Sequence, residues 1–117
     1  MILTPSDIER IKKLGFNESD FMIKSDDGFY RLRNIDSYCY FYDNKQRVCK
    51  IYEQRPLGCR IYPIIYIYEE NIVTVDSYCP ASDTVTFNDI VKALPLMIRI
   101  LKELRIDIDF DNIKIVL

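Results

Sequence analysis

The chain has 117 residues, of which 49% are hydrophobic and 29% charged, with a formal net charge of -2, four cysteines and no histidine. This length predicts a single domain over residues 1–117, with enough apolar side chains for a core that needs no disulfide bonds. The lack of histidine excludes His-based catalytic triads, haem ligation by histidine and mixed Cys/His zinc sites. Cysteines and carboxylates are then the metal ligands that remain.

Charge and hydropathy narrow the class of protein further. Sixteen Lys and Arg residues balance eighteen Asp and Glu residues, so the sequence predicts no binding to nucleic acid through a basic surface. No apolar run reaches the roughly 20 residues of a membrane helix, and Pro5 and Asp7 come before any apolar segment that a signal peptide would need. We therefore expect a cytoplasmic protein with no membrane partner. In that reducing compartment, four cysteines are more often metal ligands or reactive thiols than disulfides, for which three pairings are possible.

The first predicted element is an amphipathic helix over residues 4–15. Thr4 is the expected N-cap, Pro5 the first helical residue and Asp7 the acidic residue three positions after the cap, while Gly15 ends the helix. Apolar residues recur on one face, so this helix is expected to pack on a core.

Strand patterns follow this helix. A second short helix is expected to begin at Asn17 or Ser19, and the alternation over residues 28–32 predicts a strand. Further along, residues 64–68 and 72–75 are rich in β-branched and aromatic side chains and predict a hairpin around the intervening Glu-Glu-Asn. We expect this hairpin to bring Cys59 and Cys79 toward each other.

A long amphipathic helix is predicted in the last third of the chain, beginning near Thr86 or Asn88 and ending at Leu104. Pro95 is expected to kink or split it. The tail alternates with period two over residues 106–110 and then becomes apolar, which predicts an edge strand that completes the core. A dimer contact is the alternative.

The four cysteines lie in the middle of the chain, separated by nine, nine and nineteen residues, so no CxxC pair occurs. Two short repeats surround them: Asp-Ser-Tyr-Cys at 36–39 and 76–79, and Cys-(Lys/Arg)-Ile-Tyr at 49–52 and 59–62. Neighbouring aromatic residues would shield thiolates from water and oxidants. We interpret the cysteines as one ligand set: Cys39, Cys49, Cys59 and Cys79.

A local concentration of basic residues accompanies two of these cysteines. It consists of Lys45, Arg47, Lys50, Arg55 and Arg60. These cations would offset the negative charge of a thiolate site and are expected to lower the pKa values of the thiols. The alternative is a solvated surface loop.

The segment from Cys49 to Pro63 reads CKIYEQRPLGCRIYP. It resembles the signature C-x-I-Y-x-x-R-P-x-x-C-R-x-[FY]-P of the YkgJ family of cysteine-cluster proteins, zinc- or iron-chelating domains. Similarity extends over roughly residues 2 to 80. A weaker resemblance links the cysteine region to flagellin lysine N-methylases, but the chain carries no Gly-rich nucleotide loop and no CxxxCxxC motif.

The resemblance and the residues together predict one Cys₄ metal site, more consistent with a [4Fe-4S] cluster than with Zn²⁺, and a redox or accessory role. The dipeptide Cys79-Pro80 favours the cluster, whereas a structural zinc site is common in small domains. Arg55 and Arg60 are expected to donate hydrogen bonds to the ligand sulfurs or to pair with Glu53. Pro56 and Gly58 are expected to form a tight turn that delivers Cys59.

The expected fold is α+β: terminal helices around a short antiparallel hairpin or sheet, with the metal site in the central loops. Family members carry a CxxC-type run before the first helix, so either the start is misassigned or this member keeps four ligands. Two other functions stay open. One is a protein-modifying enzyme using Tyr62 or Glu53; the other is an interaction module, monomeric or weakly dimeric, that binds a protein partner through residues 113–117.

Overall fold

The computed structural model of the chain describes residues 1–117 and contains four α-helices and nine short β-strands. The predicted α+β class, with helices near both ends and short antiparallel sheets between them, is confirmed. The backbone divides into two compact units, Met1–Arg60 and Ile61–Leu117. No helix is long and apolar enough to cross a membrane.

The first unit begins with helix α1 (Pro5–Lys13). As predicted, Thr4 is the N-cap, and its hydroxyl accepts the Asp7 N–H while the Asp7 carboxylate accepts the Thr4 N–H. After the C-cap, Gly15 adopts a φ of +102°, a left-handed conformation that side chains rarely tolerate. Residues just beyond it form the short helix α2 (Glu18–Phe21) at the predicted place.

Three small antiparallel hairpins follow in the first unit, each of two strands. The start of the chain pairs with residues 30–32 through an isolated bridge: the Leu3 N–H donates to the Tyr30 carbonyl at 2.8 Å and the Leu32 N–H donates to the Met1 carbonyl at 3.0 Å. The hairpins are β1 (Met22–Lys24) with β2 (Tyr30–Leu32), β3 (Asn34–Ile35) with β4 (Tyr38–Cys39), and β5 (Tyr42–Asp43) with β6 (Val48–Cys49). A 3-10 turn (Tyr52–Gln54) then leads to helix α3 (Leu57–Ile61).

Asp7 is a fully buried carboxylate that joins α1 to the start of α3. Its Oδ2 accepts the Thr4 N–H at 2.9 Å. Its Oδ1 accepts the Leu57 N–H at 3.0 Å, from 50 residues further along the chain, and Arg10 Nη2 at 2.8 Å. The same Arg10 nitrogen donates to the Arg55 carbonyl at 3.0 Å. One carboxylate therefore caps a helix and holds the central signature in place.

The second unit is built on the predicted hairpin, β7 (Ile64–Ile67) with β8 (Ile72–Val75). Asn71 makes the turn in the left-handed region, with φ of +53°, as asparagine tolerates. Strand β9 (Lys114–Ile115) pairs in parallel with β8 and so completes a three-stranded sheet.

Helix α4 (Phe87–Glu103) covers this sheet. Thr86 and Asp89 form a second capping box at its start, at the predicted boundary. The core of this unit consists of Ile64, Val73, Ile90, Met97 and Leu101. Pro95 lies within α4, and of its two predicted effects the split is wrong, because the helix is continuous through residue 95, while the kink stays a prediction.

The C-terminal tail completes the core of its own unit, as predicted. Ile106, Ile108, Ile113 and Ile115 all pack on that core. The paired strand is Lys114–Ile115 rather than residues 106–110, because β9 takes the free edge of β8 and leaves the earlier residues without a strand partner.

Replacement of Pro95 by alanine is expected to stabilise the protein. Proline has no N–H for the helix and crowds the carbonyl four residues earlier, and Pro95 is exposed, so little packing is lost. We expect Pro95→Ala to raise the free energy of unfolding by about 1–3 kcal/mol in urea denaturation. The exposed Lys92→Ala on the same helix is the control, with an expected change below about 0.5 kcal/mol. A lower stability for Pro95→Ala would contradict this account of α4.

Replacement of Asp7 by alanine is expected to destabilise the protein by about 3–5 kcal/mol, because it leaves the Arg10 guanidinium and the Leu57 N–H without their shared acceptor. Asp89→Ala is the matched control, because Asp89 forms the same kind of capping box with Thr86 but is exposed and has no distant partner. Its expected loss of stability is about 1 kcal/mol. Asp7→Asn, which keeps the shape, should fall between them. Equal losses for Asp7→Ala and Asp89→Ala would show that Asp7 acts only as a helix cap.

Candidate metal centre

The four cysteines lie in four different backbone settings. Cys39 ends β4, Cys49 ends β6, Cys59 lies within α3, and Cys79 lies in a bend after β8. All four are free thiols and are partly buried. Cys39, Cys49 and Cys59 belong to the first unit and Cys79 to the second.

Aromatic side chains support the first two cysteines. Cys39 and Cys49 pack against the core of the first unit, in which Phe41 is fully buried. The Phe41 ring lies edge-on to Phe16 at 4.9 Å and to Tyr40 at 5.1 Å between ring centroids. The core side of these two thiols is therefore apolar, whereas the tyrosines that the repeats place next to the cysteines, Tyr38, Tyr52, Tyr62 and Tyr78, are exposed and do not provide the expected shielding.

The other side of Cys49 is open. A cleft of about 430 Å³ is lined by Cys49 together with apolar and charged residues of the following segment. Besides Cys49, its walls include Leu14, Phe16, Ile51 and Tyr52. Small molecules can therefore approach this thiol from solvent.

The surroundings of Cys59 oppose the ionisation of its thiol. Burial above all, and then the nearby charges of Cys39, Cys49 and Asp7, raise the pKa of Cys59 to about 11. The positive charge of the Met1 amino group acts in the opposite direction. The effect of Cys39 and Cys49 on Cys59 shows that the three thiols of the first unit share one neighbourhood.

The prediction that basic residues lower the thiol pKa values is wrong for Cys59. Lys45, Arg47, Lys50 and Arg60 are exposed, and none of them is among the groups that shift the pKa of this thiol. The first two follow Asp43 in the turn between β5 and β6, where the Asp43 carboxylate accepts backbone N–H groups. The solvated-loop interpretation fits these residues because water screens their charge.

The signature segment is placed by backbone contacts. Arg55 has φ of -59° and ψ of 152°, the extended conformation expected before proline. Pro56 is fully buried, and its carbonyl accepts the Cys59 N–H at 3.0 Å. The turn expected of Pro56 and Gly58 is the first turn of α3, in which Gly58 is helical. A Cβ at Gly58 would overlap the end of the Met1 side chain, which is flexible, so space alone does not require glycine here.

The two signature arginines differ in their contacts. The Arg55 guanidinium stacks over the Tyr52 ring, 4.1 Å from its centroid, and donates to the Tyr52 carbonyl at 2.9 Å. Neither arginine pairs with Glu53. Arg60 is exposed and follows Cys59 directly. Arg60 is thus the signature arginine whose guanidinium does not stack on an aromatic ring.

Cys79 lies beside a hydrogen-bonded pair at the open end of the β7–β8 hairpin. The Tyr62 hydroxyl donates to Asp76 Oδ2 at 2.7 Å. This hydrogen bond raises the pKa of Tyr62, followed by burial and by the negative charges of Asp76 and Cys79, and it lowers the pKa of Asp76. The influence of Cys79 on Tyr62 indicates that the thiol is near the phenol.

The sequence repeats around the cysteines are not structural repeats. At 36–39, Asp36 and Ser37 have positive φ values and form the two-residue loop of the β3–β4 hairpin. At 76–79, the same four residues form a turn in which the Cys79 N–H donates to the Asp76 carbonyl at 3.1 Å. Hydrogen-bonding partners outside the tetrapeptide therefore decide its conformation.

The chemistry of the donor set fits a metal centre. Thiolate sulfurs are the preferred ligands of zinc and of iron-sulfur clusters, and three free thiols lie near one another in the first unit. As they stand, no three cysteine or carboxylate side chains form a group that could hold a metal ion. Binding therefore requires loss of the Cys59 proton and movement of the sulfurs toward a common centre. Cys39, Cys49 and Cys59 are the residues of the first unit that would hold the metal.

Sequence reasoning missed the wider role of Asp7 and Arg10. It identified Asp7 only as part of a helix cap, whereas the carboxylate also accepts the Leu57 N–H within the signature. An acidic residue in a capping box with an arginine three residues later is a weak signal for such a network. It carries no information on the distant partner.

Comparison with known proteins supports the metal-binding chemistry of this region. No curated protein and no solved structure matches the chain. A family model named CxxCxxCC, described as "Putative zinc- or iron-chelating domain", matches residues 1–80, which is more than half of the chain and includes every cysteine. The protein therefore belongs to the CxxCxxCC family of metal-chelating domains, in agreement with its YkgJ-type signature.

Proposed function

We propose that the chain binds one metal centre through Cys39, Cys49, Cys59 and Cys79, and that this centre is a [4Fe-4S] cluster with a redox or accessory role. The observation that carries the proposal is the group of three free, partly buried thiols in the first unit, close enough for two of them to raise the pKa of the third. Structural Zn²⁺ is the alternative occupant.

Electrostatics supports a metal at this group. Burial, and after it the charges of Cys39 and Cys49, raise the pKa of Cys59, so joint ionisation of the three thiols is costly in this partly buried site. A bound cation reverses this effect, because it stabilises each thiolate that faces it. Metal binding and deprotonation of the thiols are therefore one coupled step.

The surroundings of the thiols favour an iron-sulfur cluster over zinc. The apolar core of the first unit, which includes Phe41, covers one side of Cys39 and Cys49, and solvent exposure is one of the features that set cluster potentials. Pro80 follows Cys79 directly, as proline follows the last cysteine of ferredoxin-type runs. A structural zinc site needs no such shell.

Cys79 enters the proposal through the order of cysteines in the family resemblance. Arg60 is the better of the two arginines for donating a hydrogen bond to a ligand sulfur, because it follows Cys59 directly and its guanidinium has no partner. Arg55 would stabilise the backbone conformation of the signature instead of contacting a ligand sulfur, since its guanidinium stacks on the Tyr52 ring and donates to the Tyr52 carbonyl.

The proposal is tested by anaerobic purification with analysis of iron, zinc and acid-labile sulfide, together with a visible absorption scan. We expect one cluster per chain and a broad visible band that is lost on exposure to air or a chelator. A colourless protein with one zinc per chain would replace the cluster by the zinc alternative. Absence of both metals after reconstitution would overturn metal binding itself.

Replacement of single cysteines identifies the ligands. Each of Cys39→Ser, Cys49→Ser, Cys59→Ser and Cys79→Ser is expected to lose most of the bound metal, because ligation free energy is also folding free energy in a domain of this size. Val48→Ala and Ser77→Ala, at exposed positions next to two of these cysteines, are the controls and should keep full metal content. A cysteine whose replacement by serine leaves the metal content unchanged is not a ligand.

A further inference from the structure

The bend that carries Cys79 is anchored by one residue, Asp76. Its carbonyl accepts the Cys79 N–H at 3.1 Å, its Oδ1 accepts the Tyr78 N–H at 3.0 Å, and its Oδ2 accepts the Tyr62 hydroxyl at 2.7 Å. Each oxygen of Asp76 thus holds a different group. Tyr62 belongs to the signature, whereas the N–H groups of Tyr78 and Cys79 belong to the Cys79 bend.

Asp76 itself has a fixed position. Its N–H donates to the Pro63 carbonyl at 2.8 Å, directly beyond the last paired residues of β7 and β8. The hairpin therefore sets where Asp76 lies, and the Tyr62 hydroxyl sets the direction of its carboxylate.

Cys79 needs such an anchor more than the other cysteines do. Cys39 and Cys49 lie in paired strands and Cys59 lies in a helix, so regular hydrogen bonds hold their backbones. Cys79 lies outside any strand or helix. In the other copy of the tetrapeptide, Cys39 is placed by strand pairing with Asn34.

We infer that Tyr62 and Asp76 form a positioning pair that holds the Cys79 thiol ready for metal binding; this inference rests on the proposed function, in which Cys79 is a ligand. Without the Tyr62 hydroxyl, the Asp76 carboxylate loses its strongest donor and the bend becomes more mobile. Ordering it again on metal binding costs conformational entropy. Residues that orient a ligand in this way typically contribute 10–100-fold to metal affinity.

The hairpin provides a matched control for removal of the phenol. The Tyr66 hydroxyl donates to Asn71 Oδ1 at 2.7 Å, at the turn end of the same hairpin. Tyr62→Phe and Tyr66→Phe therefore each delete one tyrosine hydroxyl that bonds to a side-chain oxygen at the same distance. Only the first deletion is next to Cys79.

The test measures the affinity of the reduced full chain for Zn²⁺ by competition with a chromophoric chelator, and the thiolate-to-metal bands of the Co²⁺ form. We expect Tyr62→Phe to weaken Zn²⁺ binding about 10-fold or more and to shift the Co²⁺ bands toward those of Cys79→Ser. The Zn²⁺ affinity of Tyr66→Phe should stay within about twofold of that of the unsubstituted protein. The two variants should change the thermal unfolding temperature by similar amounts, since each loses one hydrogen bond. Asp76→Asn, which keeps an acceptor for Tyr62, should retain more affinity than Asp76→Ala.

A double variant separates positioning from general structure. In the Cys79→Ser background, Tyr62→Phe should have no further effect on Zn²⁺ affinity, because the thiol that it positions is absent. An undiminished effect there, or equal losses for Tyr62→Phe and Tyr66→Phe, overturns the inference and leaves the proposed function intact. If Cys79→Ser itself binds Zn²⁺ and Co²⁺ unchanged, Cys79 is not a ligand, and both the four-ligand site and the inference are overturned.

Discussion

The first unit depends on where one buried negative charge is placed. Asp7 is fully buried, and its carboxylate is stabilised only while Arg10 and two backbone N–H groups, of Thr4 and Leu57, point at it. These donors come from the helix start and from the central signature. Burial of the carboxylate therefore fixes the two segments together, and Cys59 lies only two residues beyond the second of them.

Whereas donors stabilise the Asp7 carboxylate, the surroundings of the thiols of the first unit oppose their joint ionisation. The fold brings Cys39, Cys49 and Cys59 into one neighbourhood and partly buries them, which makes joint ionisation costly. A protein gains nothing in stability from such a group by itself. A metal or cluster removes the conflict, because it supplies the positive charge that the surrounding basic side chains, exposed to water, do not. Family membership and electrostatics thus lead to the same function by independent routes.

Local sequence patterns predict α1, α2, α4, β2 and the β7–β8 hairpin, but not α3 or the other strands of the first unit, and few of the contacts between elements. The capping residues Thr4 and Thr86 and the hairpin around Asn71 follow from chemistry within a few residues, and the structure confirms them. The bond from Asp7 to the Leu57 N–H spans 50 residues, so no periodicity reveals it. Local pattern likewise does not separate the two Asp-Ser-Tyr-Cys repeats, which form a hairpin loop at 36–39 and a bend at 76–79. Hydrogen-bonding partners elsewhere in the chain decide between these conformations. The choice of cysteines as ligands came from residue type and family signature, while the raised pKa of Cys59 needed the fold.

The central claim is that the cysteines together form one all-sulfur site. X-ray absorption spectroscopy at the edge of the bound metal tests it most directly, because the first coordination shell reports the type and number of donor atoms. We predict a shell of sulfur alone, at about 2.3 Å, with an additional iron-iron distance if the centre is a cluster. A shell with oxygen or nitrogen donors, or with fewer than three sulfurs, would contradict the assignment of the three clustered thiols to the metal.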